Sequence, residues 1–418
     1  MTNRHNSNHL PPPAPETGES LLSHELSGEH DEALSRFRHA LPGSTRDRRS
    51  HVAEGMVASV VMPPDDRQPA TSPLSFDPSG EHEALLARLE RILANSSDDL
   101  RSTLIRGMLA GVVRMAEQPP DLLDVKIMSR ALKELQHAFR VFQPYEHCLK
   151  VSIYGSARTP ADAPDFQLAA RMGRLLSRRG VMVITGAGPG IMEAGHQGAG
   201  KDMSFGVNIM LPFEQDANPT IAGDPKLVHL KYFFTRKLLF VRESHAAAFF
   251  PGGFGTMDEA FELLTLIQTG KANVVPIVCL QAPGSDYWKR WMDFVSRQLL
   301  PGSFISESDL SLLKIFDNAE AAVDEIQHFY RNFHSYRFVK ESLVIRMRHP
   351  LTPEQLQDVR VRFHDLAPNG VIVQGKALAP ELDDPATASL PRLIIPYHRQ
   401  DAGRLRQLID WLNGLPQG

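Results

Sequence analysis

The strongest constraint on the fold is the repeated order of short apolar segments, glycine-bearing turns and helical segments over residues 147–335. The apolar segments are brief and almost uniformly hydrophobic, as in KVSIY, VMVIT and AAAFF. Short apolar strands that alternate with helices form a parallel sheet covered on both faces. The order therefore predicts an α/β fold in this region, with a doubly wound, Rossmann-like parallel sheet.

The flanking segments differ from this region. Residues 1–80 contain PPPAPETGE and SPLSFDPSGE and show no sustained periodicity, so we expect a mostly disordered segment that cannot bury enough apolar area. Residues 81–146 carry apolar residues at three- and four-residue spacing, which predicts a helical cap or oligomerisation segment. Residues 336–418 have the pattern β-α-β-β-α, which predicts a small α+β appendage with an antiparallel sheet and a role in regulation or assembly.

Composition limits the classes of partner. The 418-residue chain has a net charge of −4, which argues against nucleic acid as the main partner. No stretch reaches the roughly 18 apolar residues of a membrane span, and the N-terminus lacks the apolar region of a secretory signal. The two cysteines form no CxxC pair, and the 17 histidines include no HExxH motif. We expect a cytoplasmic protein with no metal and no cofactor.

Three glycine-bearing turns follow three of the predicted strands. Right-handed crossovers place such turns together at the carboxyl edge of a parallel sheet, where ligands bind. Glycine lets the backbone approach a ligand, and the amides at a helix start attract phosphate. The turns are either tight connections or a phosphate cradle, and finding three in one sheet favours the cradle. The candidate binding residues in the first two turns are Gly155, Ser156, Gly188 and Gly190.

The third turn, PGGFGTMDE, carries an acidic residue that has two interpretations. Thr256 is expected at the N-cap of the next helix, and Glu259 follows three residues later. This spacing is a capping box, in which the glutamate satisfies backbone N–H groups. The functional alternative is that phosphate lies on the amides of residues 252–256, while Glu259 faces the sugar bound beside it.

A basic pair precedes the strand that leads into this turn. Arg236 and Lys237 lie at the start of the helix FTRKLLFVRES. A solvated surface pair is the ordinary interpretation. Because the helix leads into the strand that ends at Pro251, the pair could instead reach the same sheet edge. There an arginine could clamp phosphate or sugar oxygens with its fork of donors.

The segment PGGFGTMDE, preceded by TRK, resembles the PGGxGTxxE signature of the "lonely guy" family of cytokinin-riboside 5′-monophosphate phosphoribohydrolases, long labelled lysine decarboxylases. The resemblance runs from about Lys150 to Leu300. The added terminal parts resemble the longer bacterial branch and the bacterial pyrimidine/purine nucleotide 5′-monophosphate nucleosidases. The second turn departs from the GGGxxGLM of short family members, since this chain has GAGPGIMEA. That departure leaves base recognition open.

The resemblance implies an activity and a set of roles. The activity is hydrolysis of the N-glycosidic bond of a nucleoside 5′-monophosphate, AMP or N6-modified AMP, with sites completed by homodimerisation or higher assembly. Arg236 and Glu259 would be the catalytic residues, and Glu214 in LPFEQ matches a PxE-like position. The implied nucleotide-site residues are Lys237, Gly252, Gly253, Gly255, Thr256, Asp258 and Thr265.

Glycosidic cleavage passes through an oxocarbenium-like state, which a carboxylate stabilises. We expect Glu259 to serve in this role and Arg236 to keep it ionised through its opposite charge. One alternative on the same fold is a non-catalytic carrier or sensor of a phosphorylated nucleotide or pterin ligand. A pyridoxal-dependent lysine decarboxylase is a second alternative, but no lysine lies in a recognisable Schiff-base setting.

Overall fold

The chain divides into two compact units, Met1–Lys126 and Ile127–Gly418. The predicted disordered segment, residues 1–80, lies outside the residues that the structure describes. The computed structural model describes residues 84, 87–89, 91, 99–210, 216–368, 370–381, 384–397 and 401–416.

Two long helices account for much of the predicted helical segment. Helix α1 spans Leu100–Glu117 and α2 spans Leu122–Phe142. Asp99 caps α1, and its carboxylate accepts a hydrogen bond of 2.7 Å from the amide of Ser102. Short polar side chains at this position satisfy the free amides of a first helical turn. Helix α1 therefore begins directly after a capping aspartate.

The second unit contains a seven-stranded parallel sheet in the order β4-β3-β2-β1-β5-β6-β7. Every strand pair in this sheet is parallel, which confirms the predicted Rossmann-like α/β fold. The chain winds outward from β1 to β4 on one side and then from β5 to β7 on the other, so the winding reverses between β1 and β5. The strands are β1 Lys150–Tyr154, β2 Met182–Thr185, β3 Ser204–Ile209, β4 Leu227–Leu230, β5 Ala246–Phe249, β6 Ile277–Leu280 and β7 Leu313–Phe316.

Helices connect the strands and cover both faces of the sheet. They are α3 Pro164–Arg178, α4 Ile191–Ala199, α5 Phe233–Glu243, α6 Phe254–Gln268, α7 Tyr287–Phe294 and α8 Ala319–Phe329. A π-helical turn, Val295–Leu299, extends α7. Among the described helices, none has the length and apolar character needed to cross a bilayer.

The strands bury side chains on both faces, as the uniform apolar runs predict. Ala246 and Ala248 of β5 face a cluster formed with α3, α4 and α8. Ala247 and Phe249 alternate with them and face the opposite side, where α6 packs. Farther along that side, Phe205 of β3 packs against residues of α2 and α5. The functional edge therefore rests on a sheet that is rigidly packed on both sides.

A second, antiparallel sheet follows in the order β10-β11-β9-β8. It confirms the predicted antiparallel sheet and adds a strand, β8, that the pattern did not predict. Its side chains join those of β5, β6 and α6 in one hydrophobic cluster. The predicted domain boundary at residue 336 falls inside β8, and the domain limits stay a prediction. The elements are β8 Phe333–Val339, β9 Ser342–Met347, α9 Pro353–Arg362, β10 Val373–Gly375, β11 Arg392–Pro396 and α10 Ala402–Gly414.

Candidate active site

A cleft of about 810 Å³ opens at the carboxyl ends of β1, β2, β3 and β5. It includes the point between β1 and β5 where the winding of the sheet reverses, which is where doubly wound folds bind ligands. All three glycine turns contribute to its wall. The predicted site residues that line it are Gly155, Ser156, Gly188, Arg236, Gly252, Gly253, Gly255, Thr256, Asp258 and Glu259.

The third glycine turn ends in a helix that begins earlier than predicted. Helix α6 starts at Phe254, and Gly253 is its N-cap, with extended backbone at φ −91° and ψ −155°. The expectation of Thr256 at the N-cap is wrong, because Thr256 is the buried third residue of the helix. Glu259 then lies one turn too far along to form a capping box. The capping interpretation of Glu259 is therefore excluded. Glu259 instead lines the cleft.

The first and third turns are bonded to each other through the backbone. The amide of Ser156 donates to the carbonyl of Pro251 at 3.1 Å. Gly252 packs so tightly that an added Cβ would lie 2.1 Å from Oγ1 of Thr256. Tyr287, which the sequence did not single out, donates its hydroxyl to the carbonyl of Gly252 at 2.5 Å. The cradle is therefore a braced structure rather than a loose loop.

The second turn joins this assembly from the other side. The amide of Ile191 donates to the carbonyl of Ser156 at 3.1 Å. Gly190 has a φ of +68°, and an added Cβ would lie 2.4 Å from that same carbonyl oxygen. Gly190 does not line the cleft but lets the first two turns approach each other. Its predicted binding role is thus replaced, in this geometry, by a packing role.

Arg236 is held with its guanidinium at the inner wall of the cleft. Its Nε donates to the carbonyl of Val207 at 3.0 Å, and its guanidinium carbon lies 5.3 Å from the ring centroid of Phe240. A Cβ added to Gly186 would lie only 2.1 Å from Nη2 of Arg236. Glycine at 186 is therefore what makes room for the arginine. The contacts leave the Nη2 side of the guanidinium beside the second turn.

Glu259 shares the cleft with Arg236 without a direct ion pair. Within the described part of the chain, its carboxylate makes no hydrogen bond and no ion pair within 4.0 Å. Burial raises the pKa of Glu259 above its ordinary value, and the positive charges of Lys237 and Arg236 only partly oppose this. Arg236 therefore favours the ionised carboxylate, as expected, but desolvation has the larger effect on this pKa.

Tyr154 is a neighbour of this pair that the sequence analysis missed. It is the last residue of β1, lines the cleft, and stacks on Phe249 with ring centroids 4.7 Å apart. Burial, followed by the nearby charge of Glu259, raises the pKa of its hydroxyl well above the usual range. The signal available in the sequence was an aromatic residue directly before a glycine turn at a strand end.

Lys237 lies beside the cleft rather than in its wall. Its Nζ contacts Oδ2 of Asp258 at 2.9 Å and Oε2 of Glu262 at 2.5 Å, which ties α5 to α6. Burial alone would lower the pKa of Lys237, but the hydrogen bonds to these two carboxylates raise it. Lys237 thus sets the position and local charge of Asp258, which does line the cleft.

Thr265, like Gly190 and Lys237, is not among the residues that line the cleft. Thr265 lines a separate small cavity of about 100 Å³, and its hydroxyl donates to the carbonyl of Phe261 at 2.7 Å. Glu214 lies outside the described residues. No group of three or more histidine, cysteine, aspartate or glutamate residues within the described ranges is arranged to hold a metal ion.

The start of α5 is anchored by a buried glutamate that the sequence analysis did not identify. Glu134 of α2 is 4% exposed and accepts hydrogen bonds from the amide of Lys231 at 2.7 Å and the hydroxyl of Thr235 at 2.8 Å. Thr235 directly precedes Arg236. The position of Arg236 is thus fixed both by α2, through the contact of Glu134 with Thr235, and by the sheet, through the carbonyl of Val207.

Part of this chain is similar to known proteins. The family model described as "Possible lysine decarboxylase" matches residues 189–326. The pyrimidine/purine nucleotide 5′-monophosphate nucleosidase of Escherichia coli K12 is 31% identical over 147 residues, which are 32% of this chain and 32% of that protein. A probable cytokinin riboside 5′-monophosphate phosphoribohydrolase of Oryza sativa subsp. japonica, LOGL5, is 29% identical over 154 residues, or 35% of this chain and 59% of that one.

A solved structure also matches part of the chain. The molybdenum cofactor binding protein of Rippkaea orientalis is 17% identical, and the match covers 43% of this chain and 94% of that one with a TM-score of 0.31. The chain spans about a third of the bacterial nucleosidase and under two thirds of the rice protein. Over its α/β core the chain resembles the "lonely guy" phosphoribohydrolases and nucleotide nucleosidases, as the signature at 251–259 predicts.

Proposed function

We propose that this chain hydrolyses the N-glycosidic bond of a nucleoside 5′-monophosphate, AMP or N6-modified AMP, to give the free base and ribose 5-phosphate. One observation carries the proposal: Arg236 and Glu259 line the same cleft as the glycine turns. The names of the similar proteins, a nucleotide nucleosidase and a phosphoribohydrolase, support the same reaction class.

The phosphate would bind where the first and third turns meet. The first amides of a helix have no carbonyl partner within the helix, and the helix dipole makes this end attractive to anions. Phe254 and Gly255 begin α6 and line the cleft, and Ser156 and Arg158 line it from the turn after β1. A bound phosphate would therefore meet backbone amides on one side and a cationic side chain on the other.

The sugar would then lie between the phosphate and Arg236. Cleavage of the bond from C1′ to the base nitrogen develops positive charge on the ribose. The carboxylate of Glu259 stabilises that charge and accepts a proton from the attacking water, whose oxygen forms the new bond to C1′. The electron pair of the broken bond leaves with the base nitrogen, and the protonated Glu259 then gives its proton to the departing base. A carboxyl group with a raised pKa suits this proton transfer near neutral pH. Arg236 holds sugar or phosphate oxygens with its remaining donors.

Phosphate dependence provides the test of this function. Binding energy from a phosphate that does not react can position the sugar and lower the barrier by several kcal/mol. The purified full chain should release adenine and ribose 5-phosphate from AMP, and adenosine should react at least about a hundredfold more slowly. The measurement is chromatography of the free base, with enzymatic detection of the phosphosugar.

The same assay separates hydrolysis from carriage of an intact ligand. A carrier of a phosphorylated nucleotide or pterin would bind AMP or the pterin without releasing a base. Stoichiometric binding of AMP with no adenine after many hours would therefore contradict the proposed reaction. Equal rates with AMP and adenosine would contradict the proposed phosphate cradle while leaving glycosidic cleavage intact.

We also propose that the protein acts in the cytoplasm as a homodimer or larger homo-oligomer. Support for assembly comes from apolar side chains exposed near the cleft on α5 and α6. Phe254 is 97% exposed, and Phe233, Phe234 and Leu238 are each about half exposed. A second copy of the chain covering this surface would shield both the apolar side chains and the bound nucleotide. Light scattering of the full chain would measure the assembly.

A further inference from the structure

Asn208 has a buried polar side chain that is not hydrogen-bonded within the described part of the chain. It lies in β3 and is 7% exposed, and its Nδ2 makes no hydrogen bond to any described residue. Its carboxamide oxygen has no hydrogen-bond partner within the described residues either. Native proteins rarely leave a buried donor unsatisfied without a reason. A ligand atom in the cleft would complete this unsatisfied amide.

The alternation of the strand turns Asn208 into the cleft. Phe205 and Val207 face the cluster formed with α2 and α5, so the side chain of Asn208 points to the other face. Asn208 lines the cleft, as does its neighbour Ile209 at the end of the strand. The carbonyl of Val207, one residue away, is the acceptor for Arg236. Asn208 is thus placed just beyond the arginine.

The cleft runs in one direction from the phosphate end. Its lining residues come from the carboxyl ends of β5, β1, β2 and β3, and no described residue from the end of β6 contributes. Neighbouring strands lie about 4.8 Å apart, so the distance from β5 to β3 is about 14 Å. A nucleotide whose phosphate lies on α6 must therefore extend its base toward β3. Asn208 lies at that end.

The chemistry of the base end fits a purine edge. A carboxamide offers one donor and one acceptor side by side, which match N7 and the 6-amino group of adenine. Met192 and Phe233 supply apolar surface in the same cleft for the faces of the base. A 6-oxo purine would set its oxygen against the amide oxygen, and an N6-monosubstituted adenine keeps one N6–H to donate.

We propose that Asn208 determines base specificity, with Nδ2 donating to purine N7 and Oδ1 accepting from the 6-amino group. The proposal rests on the proposed function for the placement of phosphate and sugar. The second glycine turn left the choice of base open. The proposed contact with Asn208 would favour 6-aminopurines.

Binding in a slow-reacting background tests the contact apart from catalysis. Calorimetry would use the full chain carrying Glu259→Gln and four probes: AMP, IMP, 7-deaza-AMP and ribose 5-phosphate. AMP should bind about tenfold or more tightly than IMP or 7-deaza-AMP, since a good bidentate pair discriminates by at least that factor. Ribose 5-phosphate reports the phosphate and sugar contacts alone.

Two substitutions at the same position then remove the contact. Asn208→Ala, added to the Glu259→Gln chain, should lower the affinity for AMP about tenfold, to the affinity of the Glu259→Gln chain for 7-deaza-AMP. Asn208→Asp keeps the shape but loses the donor, and it should weaken AMP at least as much. Neither should change the affinity for ribose 5-phosphate, which also shows that the variants are folded. Asn318→Ala, a control at the cap of α8 outside the cleft lining, should leave AMP affinity unchanged.

The outcomes separate this assignment from the reaction itself. If Asn208→Ala leaves AMP affinity unchanged, or weakens AMP and ribose 5-phosphate equally, the assignment is overturned even if the wild type releases adenine. If the wild type releases no base but the Glu259→Gln chain shows the expected binding pattern, the assignment holds and the hydrolytic function fails. If the chain binds neither AMP nor ribose 5-phosphate, both are overturned.

Discussion

The charge on Glu259 depends on groups that are far apart in the sequence. Burial favours its neutral form, Lys237 and Arg236 favour the carboxylate, and Glu262 and Asp258 oppose the carboxylate again. The signature at 251–259, with the TRK segment that precedes it, was enough to select Glu259 and Arg236 as partners in one cleft. It could not give the protonation state, because desolvation is set by the packing of α5 and α6 around the residue.

Removal of the Lys237 charge should move the acid limb of the pH profile. Free-enzyme activity, kcat/KM for AMP, should fall as pH drops through the pKa of Glu259, which lies above 4.5. Lys237→Met removes a positive charge that lowers this pKa and leaves Asp258 and Glu262 less neutralised. The pKa of Glu259 should therefore rise further, and the acid limb should move to higher pH.

The matched control is Lys289→Met, which removes an exposed lysine from α7 outside the cleft lining. That variant should keep the wild-type acid limb. An acid limb that stays in place for Lys237→Met, or one that moves to lower pH, would show that Glu259 is not the group titrating in the profile.

At the scale of elements, the glycine turns were predictable and the start of α6 was not. Strand, glycine and helix follow each other in the printed sequence, so the topology alone brings the turns to one edge. Threonine is a favoured N-cap, which led to the choice of Thr256. The extended backbone of Gly253 caps the helix instead, and Thr256 is buried against Gly252. The preference of threonine for the N-cap position was therefore outweighed by the packing of Thr256 against Gly252.

A buried histidine holds the second turn in shape. Nε2 of His196 donates to the carbonyl of Phe205 at 3.0 Å, and Nδ1 accepts from Asn218 at 3.1 Å. Asn218 in turn donates to the carbonyl of Gly188 at 3.1 Å and, through its backbone amide, to that of Ala187 at 2.7 Å. Ala187 is in the left-handed region at φ +62°. The network fixes a strained turn at the edge of the cleft.

Burial lowers the pKa of His196 from 6.5 to about 4, although its hydrogen bonds oppose this. Because this pKa is lower in the folded protein, the unfolded chain takes up the proton first as the pH falls. The contribution of neutral His196 to the free energy of unfolding is therefore complete above pH 6.5 and is lost as pH falls toward 4. The loss is on the order of 3 kcal/mol. The free energy of unfolding of the wild type, measured with urea, should therefore fall steeply as the pH drops from 6.5 to 4.5.

The comparison that isolates this group is His196→Asn, which can still donate to the carbonyl of Phe205. Its free energy of unfolding should be lower at pH 7 and should change less between pH 6.5 and 4.5. Parallel pH curves for the variant and the wild type would mean that other groups cause the acid destabilisation.

For the whole molecule, the main departure from the sequence analysis is the continuity of the core. Two segments were missed because they lack a clear apolar pattern. Strand β7 has four residues and includes Lys314, and most residues of the edge strand β8 are only partly buried. Together they lead the chain from the parallel sheet into the antiparallel one. Leu343 and Leu393 of the second sheet share a cluster with Phe249 of the first.

A shared core predicts that the two sheets lose stability together. Leu408 of α10 is fully buried in this cluster, and Leu408→Ala should lower the free energy of unfolding by about 2–5 kcal/mol. Hydrogen exchange should then speed up in β5 and β6 as much as in β9 and β11. Val371→Ala, at an exposed site in the C-terminal part, should change neither. Faster exchange confined to the second sheet would show that the two sheets unfold as separate units.

The proposed reaction depends most on Glu259 acting at the reacting bond rather than in binding or folding. The measurement that tests this is single-turnover release of adenine and ribose 5-phosphate from AMP, together with the Kd for AMP, in the wild type and in Glu259→Gln. Release should be at least about 10²-fold slower in the variant, with the Kd changed by less than about tenfold. Release by Glu259→Gln at the wild-type rate would contradict it.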